Sequence, residues 1–236
     1  MTADAQNPSK SAKGPGLRSR QKAKRRDEIL RNALALFEDK GIEATTMAEI
    51  AAGAGVSPPT VFNYFGSKDG ILIALITEGS KRSRDARFGL PPRTDADFAT
   101  ILVDQLAEIS RATLLIADKR VWRYAEAAAI RHPTTELAIG FADVDNALEG
   151  SLENFLRRYA LSLRGGTEPD SAYLARVIFN VWNATYFDLI KYDDMTLASH
   201  TEEIRKRVVP LCGLLFTDAF NQNPTVNPGS SPHADS

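Results

Sequence analysis

The stretch TTMAEIAAGAGVSPPTVFNYFGSKDGIL (residues 45–72) decides the fold, because it contains start or stop signals for three successive helices. Within it, TMAE has the pattern of a capping box. The Thr46 hydroxyl accepts the backbone N–H of Glu49, and the Glu49 carboxylate accepts the backbone N–H of Thr46. This pattern predicts a helix that begins at Met47, and the glycines at residues 53–55 predict a sharp turn at its end.

The two prolines of VSPPT mark the start of the next helix. Ser57 suits the N-cap position, and Pro58 suits the first helical position, where a missing N–H leaves no hydrogen bond unmade. Pro59 also loses no intrahelical hydrogen bond, because the first four N–H groups of a helix have no partner inside it. We expect this helix to end at Gly66, and Ser67 to cap a fourth helix.

An amphipathic helix precedes the quoted stretch, with apolar residues at a period of about 3.6 between Ile29 and Phe37 and a stop at Gly41. We expect it to begin near Lys24. Two short helices joined by a glycine-containing turn, with small polar residues at the start of the second, are typical of a helix-turn-helix that enters the DNA major groove. The sequence therefore predicts a three-helix DNA-binding domain over residues 24–70.

The same residues resemble the DNA-binding signature of the TetR family of one-component transcriptional regulators, including the aromatic pair YF (residues 64–65) and the pair SK (residues 67–68). The resemblance covers residues 24–75. It implies an all-α fold and a repressor that binds a palindromic operator in double-stranded DNA as a homodimer. It also implies release by a small apolar or aromatic effector, and dimerisation through the last two long helices.

Positions that match the family signature imply the contacts to DNA phosphates. Thr45 and Thr46, at the start of the second helix, can donate hydroxyl and backbone N–H groups to a phosphate, and plain capping is the alternative for Thr46. Tyr64 presents a phenol and Lys68 an ammonium group, both of which suit phosphate oxygens.

The third helix is expected to read bases from the small and polar residues near its start, Ser57, Pro58, Pro59, Thr60 and Asn63. Thr60 and Pro59 can touch a thymine methyl group, and Asn63 can bind adenine or a phosphate. None of these side chains can bind guanine in the bidentate manner of arginine, so we expect specificity from thymine contacts and DNA shape. Phe62 and Phe65 are expected to be core residues.

Positive charge is concentrated at the front of the chain, where residues 10–26 contain eight basic residues and no acidic one. Because this segment has almost no apolar side chains to bury, residues 1–23 are predicted to form a flexible basic arm. Arg20, Lys24 and Arg25 are candidate contacts to phosphates or to the minor groove. A solvated tail without a role in DNA binding is the alternative.

The rest of the chain has a helical pattern without strand alternation. Residues 71–222 are predicted to form an effector-binding and dimerisation domain, and residues 223–236 a disordered tail. Helix breaks are expected at residues 89–95, 131–133, 164–170 and 192–200. Residues 173–190 and 208–216 are apolar over so wide an arc that each segment must be buried on more than one side, which favours a subunit interface.

Bulky apolar residues from several predicted helices are the candidate lining of an effector pocket. They are Phe98, Leu102, Leu106, Trp122, Phe141, Phe155, Phe179 and Trp182. Asn183 and Tyr186 are the polar candidates, since a mostly apolar cavity needs a few polar groups to orient its guest. A purely structural role in the core is the alternative for each of these residues.

Two other classes of function are weighed against a regulator. For an enzyme, Cys212 with His200 or His132 with Asp143 can be offered as nucleophile and base, but no known motif surrounds either pair. A weakly specific, nucleoid-like DNA-binding protein stays open.

Cofactors and membranes are not expected to be partners. A single cysteine and three scattered histidines form no metal-ligand pattern, so neither a metal nor another cofactor is expected. No apolar run approaches the roughly 20 residues that span a bilayer. The sequence therefore predicts a cytoplasmic protein that is not an enzyme.

Overall fold

The computed structural model describes residues 16–87 and 90–228, and every regular element in that part of the chain is a helix. The helices are α1 (Leu17–Lys40), α2 (Met47–Gly53), α3 (Pro58–Phe65), α4 (Lys68–Arg87), α5 (Phe98–Leu114), α6 (Lys119–Arg131), α7 (Glu136–Arg157), α8 (Ser171–Lys191), α9 (Leu197–Leu215) and α10 (Asp218–Gln222). The predicted all-α class is confirmed. Each predicted break overlaps a gap between two helices, although residue 131 still belongs to α6 and residues 197–200 already belong to α9. Residues 115–118 add a further break between α5 and α6.

The local signals of the quoted stretch act as predicted. The Thr46 hydroxyl accepts the Glu49 N–H at 3.2 Å, and the Thr46 N–H donates to the Glu49 carboxylate at 2.8 Å, which completes the capping box of α2. Pro58 and Pro59 occupy the first two positions of α3. Gly66 ends α3 with a φ of 68°, a conformation that glycine adopts without strain.

The start of α1 differs from the prediction. The helix begins at Leu17 rather than near Lys24, so residues 17–23 are helical and are not part of a flexible arm. Arginine, lysine, glutamine and alanine dominate this segment and have high helix propensity, so they extend a helix that core packing already stabilises. The remainder of the predicted arm, residues 1–15, lies outside the described residues.

The chain after α10 is ordered where a disordered tail was predicted. Residues 223–228 run beside the loop that follows α7, where the Ala160 N–H donates to the Thr225 carbonyl and the Asn227 N–H to the Arg158 carbonyl, both at 2.9 Å. The loop offers backbone groups that no helix satisfies, and this segment pairs with them. The prediction is therefore wrong for these residues, while residues 229–236 lie outside the described part.

One long helix joins the two ends of the molecule. We call α1–α3 (residues 17–65) the head and α4–α10 (residues 68–222) the body. A Cβ added at Gly70 would lie 1.9 Å from the Phe65 carbonyl oxygen, so the start of α4 lies directly against the end of α3. Further along α4, Ile73 would lie 2.5 Å from a Cβ at Gly140 of α7. A larger residue at either glycine would force these elements apart, so α4 packs closely both on the end of α3 in the head and on α7 in the body.

The core does not stop at the boundary between head and body. Buried apolar residues form one continuous cluster through both parts. Within the body, α5 packs extensively on α9, and α7 packs on both α8 and α4. The division into domains at residues 24–70 and 71–222 stays a prediction.

Candidate DNA-binding face and ligand site

The outer face of α3 is open to solvent and carries Pro58, Pro59, Phe62 and Asn63. Val61 and Phe65, four residues apart, are buried on the inner face and attach the helix to the core. The prediction that Phe62 is a core residue is wrong: 51% of its surface is exposed, because Val61 and Phe65 already fill the buried stripe. Phe62 therefore joins the candidate DNA contacts, although sequence reasoning missed it.

Ser57 and Thr60 pair with each other at the start of α3. Ser57 holds the N-cap position as predicted, but its hydroxyl makes no capping bond and lies 2.9 Å from the Thr60 hydroxyl. The Thr60 N–H instead donates to the Ser57 carbonyl at 2.9 Å. Neither hydroxyl is committed to the backbone, so both are free to exchange this contact for one with a base or a phosphate.

Thr45 cannot contact a phosphate as predicted. Only 1% of its surface is exposed, and its hydroxyl donates to the Gly41 carbonyl at 2.7 Å, which fixes the turn between α1 and α2. The next residue, Thr46, is exposed, but its hydroxyl and N–H both engage Glu49. Lys40 also pairs with Glu49, and with Thr46 it lowers the pKa of that carboxyl to about 2. Capping is therefore the role observed for Thr46, and a phosphate contact stays a prediction.

Lys68 has a structural role that its predicted phosphate contact did not include. Its ammonium donates to the Ile42 carbonyl at 2.6 Å and to the Glu43 carbonyl at 3.1 Å. These bonds tie the start of α4 to the turn between α1 and α2. An ammonium group has three N–H donors, so one remains for a phosphate.

The basic start of α1 lies beside α3. The Tyr64 hydroxyl donates to the Lys22 carbonyl at 3.4 Å, and the Lys22 ammonium lies 6.0 Å from the centre of the Tyr64 ring. The candidate phosphate contacts Arg20, Lys24 and Arg25 are exposed on these same turns. No acidic residue and no capping side chain occurs in the first turn of α1, so its positive charges oppose the helix dipole. A nearby anion, such as a DNA phosphate, would be attracted both by these positive charges and by the N-terminal end of the helix dipole.

The predicted lining of the ligand pocket divides into two aromatic groups that share no ring contact within the described residues. Phe98 and Phe155 pack with Tyr159, Phe216 and Phe220. The second group contains Trp122, Phe141, Phe179, Trp182 and Tyr186. Leu102 and Leu106 are fully buried on α5. The structure therefore does not bring the ten predicted residues together, and the second group is the better candidate for a ligand site.

Polar groups near the second group are unequally satisfied. The Trp182 indole N–H donates to the Ser110 hydroxyl at 2.9 Å, and the His200 Nε2 lies 2.7 Å from the same hydroxyl. The Tyr186 side chain is 3% exposed, yet its hydroxyl has no hydrogen-bond partner among the described residues. Asn183, the other polar candidate, is half-buried.

Two acidic residues that sequence reasoning missed act on Tyr186. Burial, and to a smaller extent the charge of Asp145, raises the pKa of Glu126 to about 7, and burial raises the pKa of Asp145 to about 6. Burial and the charges of both carboxylates raise the pKa of Tyr186 well above its ordinary value. A sequence signal was present, because Glu126 and Asp145 each follow a predicted lining aromatic, Trp122 or Phe141, by one helical turn.

Neither pair considered for an enzyme has the features of a nucleophile and its base. Cys212 and His200 lie on the same helix twelve residues apart, which places them about 18 Å apart along its axis. Burial also raises the pKa of Cys212 to about 12, so its thiol stays protonated. His132 ends α6 and is exposed. Within residues 16–87 and 90–228, no group of acidic, histidine and cysteine side chains could hold a metal ion, and no helix there is long and apolar enough to cross a membrane.

Comparison with known proteins gives a consistent result. A family model described as bacterial regulatory proteins, tetR family, matches residues 29–75. The HTH-type transcriptional repressor KstR of Rhodococcus jostii is 30% identical over 169 residues, which cover 70% of this chain and 73% of KstR. The HTH-type transcriptional regulator TcmR of Streptomyces glaucescens is 42% identical over 64 residues, 27% of this chain, and the chain spans only 28% of the length of TcmR.

Solved structures show the same fold at low sequence identity. FadR of Thermus thermophilus, a TetR-family transcriptional repressor in complex with lauroyl-CoA, superposes with a TM-score of 0.55 at 20% identity, covering 81% of this chain and 95% of FadR. Salmonella enterica GusR superposes with the same TM-score, identity and coverage. At this level of identity the likeness concerns the fold alone.

Proposed function

Since the chain belongs to the TetR family of bacterial regulatory proteins, we propose that it is a repressor that binds a palindromic operator as a homodimer and is released by a small-molecule effector. The observation that carries this proposal is the outer face of the head. It combines an exposed recognition helix, α3, with the basic and exposed first turns of α1. The repressor acts on DNA in the cytoplasm and does not catalyse a reaction.

The recognition helix supports a readout based on apolar contacts. Pro59 and Phe62 offer apolar surface to thymine methyl groups, and the Asn63 amide can bind adenine. The basic residues of α1 neutralise phosphates next to the groove, and this contact carries affinity without sequence information. We therefore expect an operator whose half-sites are rich in A·T pairs.

Exposed apolar side chains on α8 and α9 support dimerisation through these helices. Tyr173 of α8 is 65% exposed and Leu214 of α9 is 76% exposed, and Phe187 and Val209 add to the same two helices. A two-fold axis would pair this surface with its copy on a second subunit. The two recognition helices would then reach half-sites about 34 Å apart.

Contacts between head and body provide a route for release. The Tyr124 hydroxyl of α6 donates to Asp69 at the start of α4, at 3.2 Å. A second contact joins the start of α6 to the last turn of α1. The N–H of Asp118, the N-cap residue of α6, donates to the Glu38 carboxylate at 3.1 Å, and Arg120 of α6 donates to the Phe37 carbonyl. A shift of α6 caused by a ligand would therefore move both α1 and α4. A ligand releases DNA only if it binds more tightly to the shifted state.

Selection of bound sequences from random duplex DNA with the purified protein tests the proposal. The expected result is enrichment of a palindrome whose half-sites are about one helical turn apart. Binding at moderate salt without any enriched sequence would contradict an operator and favour the nucleoid-like alternative.

A further inference from the structure

We propose that the effector is an organic cation whose charged group lies between Glu126 and Asp145, against the Tyr186 hydroxyl and the ring of Trp122. This inference rests on the proposed function in one respect only, the role of the ligand as effector. Binding of the cation itself does not depend on DNA.

Three helices bring these groups together. Glu126 comes from α6, Asp145 from α7 and Tyr186 from α8, and each lies one turn after an aromatic residue of the second group. The Trp122 ring lies 6.2 Å from that of Tyr186, edge to face, and the Trp182 ring stacks on Tyr186 at 5.2 Å. Acidic side chains thus lie on two of the three helices that carry the second aromatic group, each one turn away from one of its aromatic residues.

Both carboxylates lack a compensating charge. No lysine or arginine within the described part of the chain forms an ion pair with Glu126 or Asp145, and the charge of Asp145 adds to the burial that raises the pKa of Glu126. Like charges without a counterion disfavour each other in a partly dehydrated site. A cation placed between them would remove this repulsion and would be bound more strongly there than in water.

The Tyr186 hydroxyl is a second and independent sign of a ligand. Buried hydroxyl groups nearly always have a hydrogen-bond partner, and this one has none among the described residues. The charges of both carboxylates, after burial, raise the pKa of this hydroxyl, so both lie within electrostatic range of it. It is placed to accept a hydrogen bond from an ammonium N–H or to contact the methyl groups of a quaternary ammonium.

Aromatic rings define the chemical class further. The faces of tryptophan and tyrosine rings attract cations, most strongly where water is excluded. Trp122 lies one helical turn before Glu126, and its ring lies 6.2 Å from that of Tyr186 and 6.0 Å from that of Phe141, which precedes Asp145 by one turn. Carboxylates together with rings favour an amine or quaternary ammonium that carries an apolar body, rather than an anion or a sugar.

The direct test is to measure binding of two permanent cations, benzyltrimethylammonium and tetraphenylphosphonium, by calorimetry and by quenching of tryptophan fluorescence. Each is compared with a counterpart of the same shape, uncharged neopentylbenzene for the first and the anion tetraphenylborate for the second. At pH 8 we expect at least one cation to bind once per subunit and at least about ten-fold more tightly than its counterpart. The affinity should rise between pH 5 and pH 8 as Glu126 and Asp145 lose their protons, while Tyr186 stays neutral.

Variants locate the charge. Glu126→Gln and Asp145→Asn should each lower cation affinity about ten-fold, and Tyr186→Phe should lower it without loss of folding, because the hydroxyl it removes has no protein partner. Asp143→Asn is the matched control, since Asp143 lies on the same helix as Asp145 but is exposed. Equal binding of each cation and its counterpart, or full affinity in both carboxylate variants, would overturn the proposal.

The test separates this inference from the proposed function. If a cation binds as expected but does not change operator affinity, the cation site stands and the effector role fails. If a palindrome is selected and neither cation binds more tightly than its counterpart, the repressor stands and the cation site fails.

Discussion

Replacing Glu126 by Gln should stabilise the ligand-free protein at pH 8 and should have little effect at pH 5. Burial raises the pKa of this carboxyl from 4.5 to about 7, so the folded protein binds the proton more tightly than the unfolded chain does. Stability that depends on this proton is present below pH 4.5 and is lost as the pH rises through about 7. Gln has the shape of the protonated acid and never ionises, so the variant avoids that loss.

The magnitude follows from the size of the shift. One pKa unit corresponds to about 1.4 kcal/mol, so the shift sets a ceiling of about 3 kcal/mol for the stability lost at pH 8. Glu126 is only half-buried, and screening by solvent reduces this to about 1 to 2 kcal/mol. For a chain of this length we expect the melting temperature of the variant at pH 8 to exceed that of the wild type by about 2 to 8 °C.

The assay is thermal and urea unfolding of both proteins at pH 5 and pH 8, at one subunit concentration because dimerisation also contributes to stability. Asp143→Asn is again the control, since an exposed carboxylate should show no such gain. If Glu126→Gln is neutral or less stable than the control at pH 8, then Glu126 is well solvated or paired in the folded protein. The reasoning from burial would then be refuted.

Three further predictions concern the head and its connection to the body. Phe62→Ala should leave the melting temperature unchanged but weaken operator binding at least about ten-fold. The control Ile139→Ala removes a similarly exposed side chain from the body and should change neither the melting temperature nor operator binding. Normal operator affinity of Phe62→Ala would remove Phe62 from the DNA contacts. Lys68→Met should lower the free energy of unfolding by about 1 to 3 kcal/mol, because it removes two hydrogen bonds to backbone carbonyls, and it should weaken binding to all DNA sequences alike. An unchanged denaturation midpoint would mean that these two hydrogen bonds contribute nothing to stability. Tyr124→Phe should leave operator binding and cation binding, each measured alone, intact. It should reduce the factor by which the cation weakens operator binding, measured by titrating the operator with and without the cation. An unchanged factor would exclude the hydrogen bond between Tyr124 and Asp69 as the route from the ligand site to the head.

The sequence was a reliable guide wherever a structure depends on neighbours along the chain. The capping box at Thr46, the proline start of α3 and the glycine stop at Gly66 all appear as expected, because each signal satisfies or removes backbone groups within a few residues. The same local signals, together with the spacing of the helices, were sufficient to predict the helix-turn-helix and the all-α class. They also located the breaks between the long helices of the body, except the one at residues 115–118.

What the sequence did not determine depends on contacts between distant segments. Thr45 and Phe62 were assigned to the wrong environments, because only the packing of the turn before α2, and of α3 on its neighbouring helices, decides which side chains face inward. Residues 223–228 were expected to be disordered, and they are held by a loop more than sixty residues away in sequence.

The candidate ligand site shows the same division most clearly. Helical periodicity identified the aromatic residues of the body but could not sort them into two groups, because rings at equivalent positions of different helices look alike in a sequence. The only sign of Glu126 and Asp145 in the sequence is their spacing of one helical turn from an aromatic residue, and only the assembly of α6, α7 and α8 brings both within electrostatic range of the unpaired Tyr186 hydroxyl. Burial and the sum of nearby charges set the pKa of a group, and both are properties of the packed tertiary structure.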